Sequence, residues 1–491
     1  MLPVTAAEST KQSVQTVQML PLEITVNGAS VGSWVLLDRD GTLYAPTEAF
    51  DEWRVKRRPK STPFTHLGQQ WYALSAVPGV NAQLDFANQS LDLKFQPRAF
   101  AATQLAQPAP ERLPLTPATL GMFANYDISY TRTAQRDVEP TQNLGALVEL
   151  GASNNWGVLT STYSALNLTS RDPLMPRNVR RLETTLTSDL PDDNLTLRLG
   201  DTTTRNGSWG RSVYFGGMQF SRNFGLTPGF ISQPLPTING ISSAPSTVEL
   251  YINDALRQTS QVPTGPFAIT NFPQLTGSGQ ARMVVRDVLG RETVLVQDFF
   301  SHSELLEQNL SDWSLEAGAV RKNIGISNAD YGQRFASGLW RHGLSQDLTV
   351  EARAEFGSST RGAGLGFVRA LPSNLLGQLA MAFSRDDIAG SGQQWLAGLE
   401  YSSMRHGFTL RGEGASRNYR QIGQDVGSLH SRRQLSASYT YSSESFGSMS
   451  LGYARVLGYD QSPWTTYSAN YSFRIGGRSS LSFNAVRVRG Q

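Results

Sequence analysis

Alternation of apolar and polar residues runs through most of this chain, and that period of two restricts the fold more than any other feature. It is clearest at residues 348–356, where every even position is apolar and every odd position is polar. The same alternation occurs at 195–199, 435–441 and 467–473. Because successive side chains of a β-strand point to opposite faces, each segment predicts a strand with one apolar and one polar face.

Less regular segments of the same kind fill most of the chain beyond residue 120. They lie near 122–130, 146–152, 156–166, 180–188, 213–220, 313–320, 334–340, 362–369, 375–383, 395–402, 408–414, 449–453 and 481–489. The total is roughly seventeen strands, which lies within the range of transmembrane β-barrels.

A soluble β-sandwich would also alternate, but this array is much longer than a sandwich of about 100 residues. Aromatic residues stand near the ends of many segments, as the interfacial girdles of a membrane barrel require. Examples are Tyr126, Tyr130, Phe356, Tyr401, Tyr441 and Phe473. We therefore predict an all-β membrane protein built on a large antiparallel transmembrane β-barrel.

The composition excludes several classes of protein. No run of 18 apolar residues occurs, so a transmembrane helix is not expected. The formal net charge is +3 and the basic residues are scattered, which gives no reason to expect a nucleic-acid partner. The sequence has no cysteine, and this excludes disulfides, thiolate metal sites and cysteine nucleophiles within it.

Residues 235–299 interrupt the array with a compact segment punctuated by proline and glycine. The segment predicts a small β domain inserted within the barrel. A domain at that position suggests a device that blocks or gates a pore, which makes the interruption the most informative segment for function.

Residues before the array have a different organisation. A small mixed α+β domain is predicted at 21–96, with a short helix at Thr47–Trp53 and Thr47 as its N-cap. The tail at 1–20 lacks the long apolar core of a signal peptide. Five prolines mark 97–120 as a semi-extended linker. The predicted order after the linker is barrel strands at 121–234, the inserted domain at 235–299 and further barrel strands at 300–491.

One stretch of the inserted domain carries a specific resemblance. Residues 262–272, Val-Pro-Thr-Gly-Pro-Phe-Ala-Ile-Thr-Asn-Phe, closely resemble the plug-domain signature of fimbrial outer-membrane ushers. Flanking matches lie at 236–241, at 284–291 and between 199 and 228, and residues 22–95 resemble the family's N-terminal periplasmic domain. The resemblance covers nearly the whole chain, and its N-terminal domain is most similar to ushers of the alternative, spore-coat-U-like systems.

The resemblance implies a function and a location. Ushers span the outer membrane as a barrel of roughly two dozen strands whose lumen a β-sandwich plug closes. The N-terminal domain lies in the periplasm and the plug in the periplasm or the lumen. Periplasmic chaperone–pilin complexes dock on the N-terminal domain, subunits are joined by donor-strand exchange, and the fibre leaves through the pore. The family's barrel has more strands than this chain provides, and sandwich domains follow it, so we expect an incomplete barrel truncated at the C-terminus.

The resemblance also implies roles for individual residues. The plug signature comprises Val262, Pro263, Gly265, Pro266, Phe267 and Ile269. A hairpin that folds inward and holds the plug, near 201–225, would include Asp201, Gly216, Gly217 and Gln219. Candidates for chaperone binding are Leu20, Leu22, Trp34, Phe50 and Trp53.

The signature has a physical interpretation that does not depend on the family. Pro263 and Pro266 fix the backbone φ angle, and Gly265 permits a conformation that other residues avoid. The simplest interpretation is a tight turn that seats Phe267 in the core of a small sandwich. On that view the gating function belongs to the domain, and not to individual side chains.

Enzymatic chemistry has little support in the sequence. The five histidines, His66, His302, His342, His406 and His430, lack ligand-type spacing, and no Gly-x-x-x-x-Gly-Lys-Ser/Thr motif occurs. The glycines at 362–366 lie in a strand pattern with no helix after it, which favours strand packing over phosphate binding. We expect no enzyme, no metal, no cofactor and no nucleotide, and we expect outer-membrane lipid around the barrel.

Two other functional classes remain open at this point. A passive porin or solute channel could carry an inserted constriction, although it has no need of a globular domain before the barrel. A soluble adhesin built from several sandwiches would instead place its apolar faces inside.

Overall fold

The computed structural model describes most of the chain. The described residues are 17–106, 116, 119–136, 138–170, 176–235, 237–252, 255–270, 277–288, 290–425, 427, 431–443, 445–476 and 479–490. Most of the predicted tail and half of the predicted linker, together with Pro236, Asn271 and His430, therefore lie outside them. The chain forms two compact units. The first contains the N-terminal domain and the inserted domain, and the second contains the long array of strands.

The N-terminal domain is a seven-stranded sheet with one short helix in its described residues. The strand order is β4-β5-β3-β2-β1-β7-β6, and only the pair β1–β7 is parallel. The elements are β1 (Val17–Val26), β2 (Ala29–Arg39), β3 (Thr42–Pro46), α1 (Thr47–Glu52), β4 (Phe64–His66), β5 (Gln69–Ala73), β6 (Asn81–Asp85) and β7 (Ser90–Lys94), with a 3-10 turn at Leu74–Ala76.

Local sequence explains the turn between β1 and β2 but not the start of the helix. Asn27 and Gly28 both have positive φ angles, 49° and 83°, which suits the tight hairpin turn that Asn-Gly favours. The prediction that Thr47 caps the helix is wrong. Pro46 occupies the N-cap position without a side-chain bond, and the Thr47 hydroxyl donates to the carbonyl of Gln70 instead.

The first part of the predicted linker is ordered. It contains a 3-10 turn at Pro97–Ala99 and strand β8 (Thr103–Ala106), so the prediction of a semi-extended linker fails for these residues. Arg54 fixes this segment, because its guanidinium donates to the carbonyl of Ala101 at 3.0 Å and to the hydroxyl of Thr103 at 2.6 Å. Strand β8 then pairs in parallel with a strand of the inserted domain.

The inserted domain is a small sandwich of two sheets. Its strands are β15 (Ile238–Ser242), β16 (Ser246–Ile252), β17 (Ala255–Val262), β18 (Gly265–Thr270), β19 (Gly277–Asp287) and β20 (Glu292–Ser301). The sheets have the orders β15-β18-β8 and β17-β16-β19-β20. The core between them holds Ile238, Val248, Leu250, Ile252, Val262, Phe267, Ile269, Ala281, Met283 and Val285. Strand β8 thus contributes to one sheet of the sandwich, and the N-terminal and inserted domains share that sheet.

The second unit contains seventeen barrel strands in its described residues. They are β9 (Gly121–Gln135), β10 (Val138–Asn154), β11 (Gly157–Leu166), β12 (Asn178–Leu190), β13 (Leu195–Thr203), β14 (Tyr214–Arg222), β21 (Ser311–Arg321), β22 (Tyr331–Ser345), β23 (Leu348–Gly357), β24 (Thr360–Leu371), β25 (Leu375–Asp386), β26 (Gly390–Ser402), β27 (His406–Ala415), β28 (Ser431–Ser443), β29 (Gly447–Gly458), β30 (Trp464–Ile475) and β31 (Ser479–Gly490). Short 3-10 turns lie at Pro191–Asp193 and Phe224–Leu226. Each of the seventeen predicted segments lies in, or overlaps, one of these strands.

The strands follow chain order around the barrel. Antiparallel ladders join each strand to the next, and β14 pairs directly with β21, so the insertion leaves from between two neighbouring strands. The order closes with β31 next to β9. Because seventeen is odd, the first and last strands run in the same direction. Parallel pairing is slightly less stable per residue than antiparallel pairing, and every residue of β31 is exposed.

Burial in the barrel is the reverse of burial in a water-soluble protein. Along β23 the polar residues Thr349, Glu351, Arg353 and Glu355 are all at most 4% exposed. Phe356, on the other face, is 62% exposed. This arrangement is favourable when lipid surrounds the outer face, and it contradicts the soluble-adhesin alternative. No helix within the described ranges is both long enough and apolar enough to cross a membrane.

The two ends of the barrel differ in their connections. At one end the strands are joined by turns of two to four residues, and the inserted domain also leaves from this end. At the other end four connections have nine residues or more, at 167–177, 204–213, 322–330 and 416–430. We name these the short-turn end and the long-loop end. In outer-membrane barrels short turns are periplasmic and long loops are extracellular.

The reversed burial predicts the effect of a charge on the outer face. Leu379→Arg places a cation at an outward position that is 60% exposed, near the middle of β25. We expect it to lower the free energy of unfolding in lipid vesicles by about 2–4 kcal/mol. The control Ile326→Arg, at an exposed apolar residue of a long loop, should change little. Equal, small effects of both variants in urea titrations would contradict a lipid-facing position for Leu379.

Candidate functional site on the inner wall of the barrel

Strand β23 provides an anchor for each segment that folds against the inner wall. Its inward residues Thr349, Glu351, Arg353 and Glu355 follow one another at the strand period of two. Two of them bond to the loop at 204–213, one to the loop at 416–425 and one to the segment before β21. The row of polar residues in the sequence therefore corresponds to a row of attachment points.

The loop at 204–213, which joins β13 to β14, is attached through Glu351. The backbone N–H of Ser208 donates to both carboxylate oxygens, at 2.9 and 3.1 Å, and the Ser208 hydroxyl donates at 3.2 Å. Gly207 must be a glycine for this approach, because a Cβ atom there would overlap the carboxylate of Glu351. We call residues 204–213 the hairpin loop.

Arg205 makes a second attachment of the hairpin loop. Its guanidinium donates to both carboxylate oxygens of Asp312, at 3.0 and 2.8 Å, which is the strong bidentate geometry. The backbone N–H of Arg205 donates to Glu316 at 3.0 Å. Both acids lie on the inner face of β21. The loop is therefore attached to the wall on two strands, β23 through Glu351 and β21 through these acids.

Arg353 supports the same loop from the wall side. Its guanidinium donates to the carbonyl of Arg205 at 3.0 Å and lies 2.7 Å from the carboxylate of Glu355. Both side chains are at most 4% exposed. A buried charge of this kind is tolerated only when it is paired and hydrogen-bonded, as it is here.

Trp209 gives the hairpin loop its apolar contact. The indole is 4% exposed and packs with Ala380, Ala382, Leu396 and Tyr419. These alanines are inward positions of β25, and their small size leaves room for the ring. The tip of the loop therefore lies in an apolar site on the inner wall.

A second long loop joins the hairpin loop. In residues 416–425, after β27, the N–H of Ile422 donates to Glu355 at 3.2 Å. Ile422 packs with Val213, at the base of the hairpin loop, and Tyr419 packs with Trp209. Burial raises the pKa of the Tyr419 hydroxyl above its ordinary value. The two loops thus bury each other's apolar side chains.

The segment that leads from the inserted domain back to β21 lies against the same wall. The N–H of Leu306 donates to the hydroxyl of Thr349 at 2.7 Å, and Leu305 packs with Val368 and Leu376. His302 lies 3.2 Å from Glu400. Burial raises the pKa of Glu307, with an opposing contribution from its bond to Gln346.

The four residues predicted for an inward hairpin lie on the barrel strands themselves. Asp201 accepts from the Tyr331 hydroxyl at 2.7 Å and from Arg181 at 2.6 Å, and Gln219 donates to the carbonyl of Thr203 at 2.8 Å. Gly217 faces Gly318 across the ladder, and Gly216 lies under the ring of Tyr331. The expectation that residues 201–225 all turn inward is corrected, because only 204–213 leave the wall between the paired strands β13 and β14.

The signature residues form the turn and the start of a strand in the inserted sandwich. Val262, Phe267 and Ile269 are buried in its core, and Pro263 is exposed. Gly265 has a φ of +128°, and a Cβ atom there would lie 2.6 Å from the Cβ atom of Phe100. Pro266 follows in strand β18, opposite Ile241. The signature residues therefore pack within the first unit, in the core of the sandwich or against Phe100.

Four of the five chaperone-binding candidates are core residues. Leu20, Leu22, Phe50 and Trp53 are at most 7% exposed and belong to the apolar core of the N-terminal domain. Trp34 is half-buried and packs edge-on against Trp53. The structure corrects the prediction for the four buried side chains, because a partner cannot reach them. Exposed apolar residues that neighbour them on β1 and β2 are Met19 and Val35.

Within the described ranges, no group of three or more His, Asp or Glu side chains is placed to hold a metal ion. His342 bonds to Ser311 and His406 to Tyr439, and His66 stacks on Phe64. His430 lies outside the described residues.

Sequence reasoning missed the residues that attach the loops. Arg205, Ser208 and Trp209 stand in a short segment without alternation, and Glu351 and Glu355 look like any other polar strand residues. The one available signal was Trp209 between Gly207 and Gly210, a large ring in a polar, glycine-rich loop. Its partners on β25 and β26 are more than 150 residues away in sequence, so the pairing could not be anticipated.

Comparison with known proteins identifies relatives of this chain. Residues 148–489 match the family described as "Outer membrane usher protein". The chain is 25% identical over 357 residues to the outer membrane usher protein FaeD of Escherichia coli, covering 71% of this chain and 41% of FaeD. It is 22% identical over 426 residues to LpfC of Salmonella typhimurium, covering 82% of this chain and 49% of LpfC. The chain therefore spans less than half the length of these two relatives.

One solved structure shares the fold over almost the whole chain. It is a chain of the E. coli P pilus tip assembly intermediate PapC-PapD-PapK-PapG, with a TM-score of 0.59 and 16% sequence identity. The similarity covers 96% of this chain and 62% of that chain.

Removal of the Glu351 carboxylate tests the attachment of the hairpin loop. In Glu351→Ala the Ser208 N–H loses a charged acceptor, and such bonds contribute about 1.5–3 kcal/mol. We expect amide hydrogen exchange in 204–213 to become roughly ten- to a hundredfold faster, as read by mass spectrometry of the purified chain. Glu149→Ala, which removes a carboxylate on β10 that accepts from Asn125 of β9, is the control and should leave exchange in 204–213 unchanged. If residues 204–213 exchange their amide hydrogens at the same rate in both variants, Glu351 does not hold the loop.

Proposed function

Because the chain belongs to the outer membrane usher family, we propose that it acts as a pilus assembly platform in the outer membrane. In this role it recruits periplasmic chaperone–pilin complexes, orders subunit joining by donor-strand exchange and passes the fibre through its barrel. The observation that carries the proposal is a sandwich domain inserted between the paired neighbouring strands β14 and β21 of a barrel whose inner wall is polar.

The polar wall suits transport of a folded protein. Inward residues of β23 are charged or hydroxylic, and the apolar residues of that strand face outward. A folded subunit keeps most of its large apolar side chains inside and exposes its charged residues, so it offers a polar wall no large apolar patch to adhere to. The structural relative belongs to a pilus tip assembly intermediate, which also supports an assembly role.

Assembly by donor-strand exchange requires no catalytic side chain. One extended segment replaces another at a sheet edge, and main-chain hydrogen bonds are exchanged in equal number. We therefore propose that the chain contributes position and order, without enzymatic chemistry, a metal or a cofactor. A passive porin has no use for the seven-stranded domain that precedes the barrel, and for this reason we favour the assembly role.

We propose that the inserted domain gates the pore. Its strands pair among themselves and with β8, and β14 and β21 pair without it. The domain can therefore change position without breaking a barrel ladder.

Removal of the inserted domain tests gating. Replacing residues 238–298 by a short glycine linker should raise single-channel conductance in planar bilayers and sensitivity to large antibiotics, because the occluding mass is lost. Phe267→Asp, which places a charge in the core of the sandwich, should raise conductance partway. Thr259→Asp, at an exposed position of β17, is the control. Unchanged conductance after the deletion would contradict the gating role.

Chaperone–pilin docking is tested on the exposed face of β1 and β2. Met19 and Val35 are 45% and 43% exposed; Val35 pairs with Pro21, and Met19 lies two residues before Pro21 on the same face of β1. We expect Met19→Asp with Val35→Asp to weaken binding of a purified chaperone–subunit complex at least about tenfold, because two apolar contacts are lost. Gln83→Asp, at an exposed position of the edge strand β6, should bind normally. If both variants bind with equal affinity in biolayer interferometry, this face is not the docking site.

A further inference from the structure

Charged residues on strands β22–β26 are sorted between the two faces of the sheet. All four acidic residues of these strands, Glu351, Glu355, Asp386 and Glu400, lie on the inward face. On the outward face three exposed arginines stand at the long-loop end. They are Arg334 on β22, Arg361 on β24 and Arg385 on β25. The outer surface is therefore positively charged at one end and has no acid on these strands to balance it.

Two of these arginines are placed directly opposite each other. Arg361 and Arg385 form a register pair in the β24–β25 ladder, so their Cβ atoms lie about 5 Å apart. Like charges at such a pair are destabilising. In the described part of the chain, neither guanidinium forms an ion pair. An anion held between them would relieve the repulsion and accept several charge-assisted hydrogen bonds.

The opposite end of the same face is different. Arg369, which is also outward on β24, lies 3.3 Å from Asp347 in the short turn before β23. Its charge is therefore compensated within the protein. On the same strand, therefore, Arg369 has an acidic partner and Arg361 has none among the described residues, which distinguishes the arginine pair from ordinary charged residues at a barrel rim.

An apolar groove begins immediately beside the arginine pair. It has a volume of about 1160 Å³ on the outward face, and its floor is formed by small residues that include Ala352, Ala354 and Ala363. Its sides are lined by Trp313, Trp340, Leu365, Met381, Phe383 and Trp395. Ala363 and Phe383 are the next outward residues after Arg361 and Arg385, about 7 Å along the strands. The groove and the arginine pair are therefore continuous.

We propose that Arg361, Arg385 and this groove bind a phosphorylated, multiply acylated lipid of the outer leaflet, such as lipid A. The guanidinium pair takes a phosphate of the headgroup, and the groove takes an acyl chain between its tryptophans. Arg334 lies on the same outward face at the same end, with β23 between it and the pair, and adds positive charge to that end. The long-loop end is the extracellular end of such a barrel, so the arginine pair and the groove would face the outer leaflet.

The lipid site would have a structural consequence on the inner side. Strand β24 lies next to β23, whose inward residues hold the hairpin loop, and β25 carries the alanines that receive Trp209. A lipid that neutralises the arginine pair would stabilise the outer side of the same strands that support the inner loops.

Binding to the unmodified chain is measured first. The chain, purified in a non-ionic detergent, is titrated with lipid A, with dephosphorylated lipid A and with deacylated lipid A, and bound lipid is counted by native mass spectrometry. We expect lipid A to bind at least about tenfold more tightly than either altered form, because each lacks one of the two recognised groups. Equal binding of the dephosphorylated form would overturn the proposal. Displacement of lipid A by millimolar inorganic phosphate would likewise overturn it, since the site would then be a free-anion site.

Variants test whether lipid A binding depends on Arg361 and Arg385 or only on the overall positive charge of the barrel. Arg361→Gln with Arg385→Gln should lower lipid A affinity at least about tenfold, whereas Arg361→Lys with Arg385→Lys should keep most of it, because the charges remain. Arg369→Gln at the compensated position is the matched control and should bind as the parent does. Heat-modifiable migration on gels confirms that each barrel is folded. Equal affinity of the glutamine pair and the parent would refute the site, and none of these measurements depends on pilus assembly.

Discussion

The hydrogen bonds that the inward face of β23 makes to backbone N–H groups are the interactions on which the interior of this barrel depends. Glu351 accepts from Ser208, Glu355 accepts from Ile422, and the hydroxyl of Thr349 accepts from Leu306. Loop backbone inside a barrel has polar groups that must find partners, and water-filled space alone does not give them a fixed geometry. The carboxylates of Glu351 and Glu355, four residues apart, and the hydroxyl of Thr349 supply those partners along one strand. The resulting arrangement holds three separate segments of the chain in one layer against the wall.

Charge balance along the same strand makes these attachments possible. Glu355 is paired with Arg353, and Arg353 donates to the carbonyl of Arg205, so neither buried charge lacks a partner. An isolated carboxylate at this depth would be costly. The paired arrangement instead joins opposite charges, backbone groups and the loops in a single network. Apolar contacts of Trp209 with Tyr419 and of Val213 with Ile422 add to the attachment where the two loops meet.

The sandwich domain is inserted between β14 and β21 without interrupting the barrel. The barrel ladder continues across the insertion site, so the sandwich domain is attached by its two ends and imposes no gap in the wall. The domain completes one of its sheets with β8, from the segment after the N-terminal domain. Gly265 allows this association, since Phe100 occupies the space that a side chain would need. A module of this kind can be exchanged or moved without rebuilding the barrel.

The sequence by itself determined the strands, because alternation with period two depends only on neighbouring residues and on the two environments a strand faces. It located the seventeen barrel segments and the interruption after β14. It did not determine which face was inside, since lipid-facing and core-facing apolar residues look alike, and burial in the structure showed the polar face inside. It also misplaced the helix cap at Thr47 and treated Leu20, Leu22, Phe50 and Trp53 as partner contacts. Whether an apolar side chain is core or surface depends on what packs over it. The attachments of the hairpin loop belong to the tertiary structure alone, because Glu351 and Ser208 are 143 residues apart and only closure of the strands into a wall brings them together.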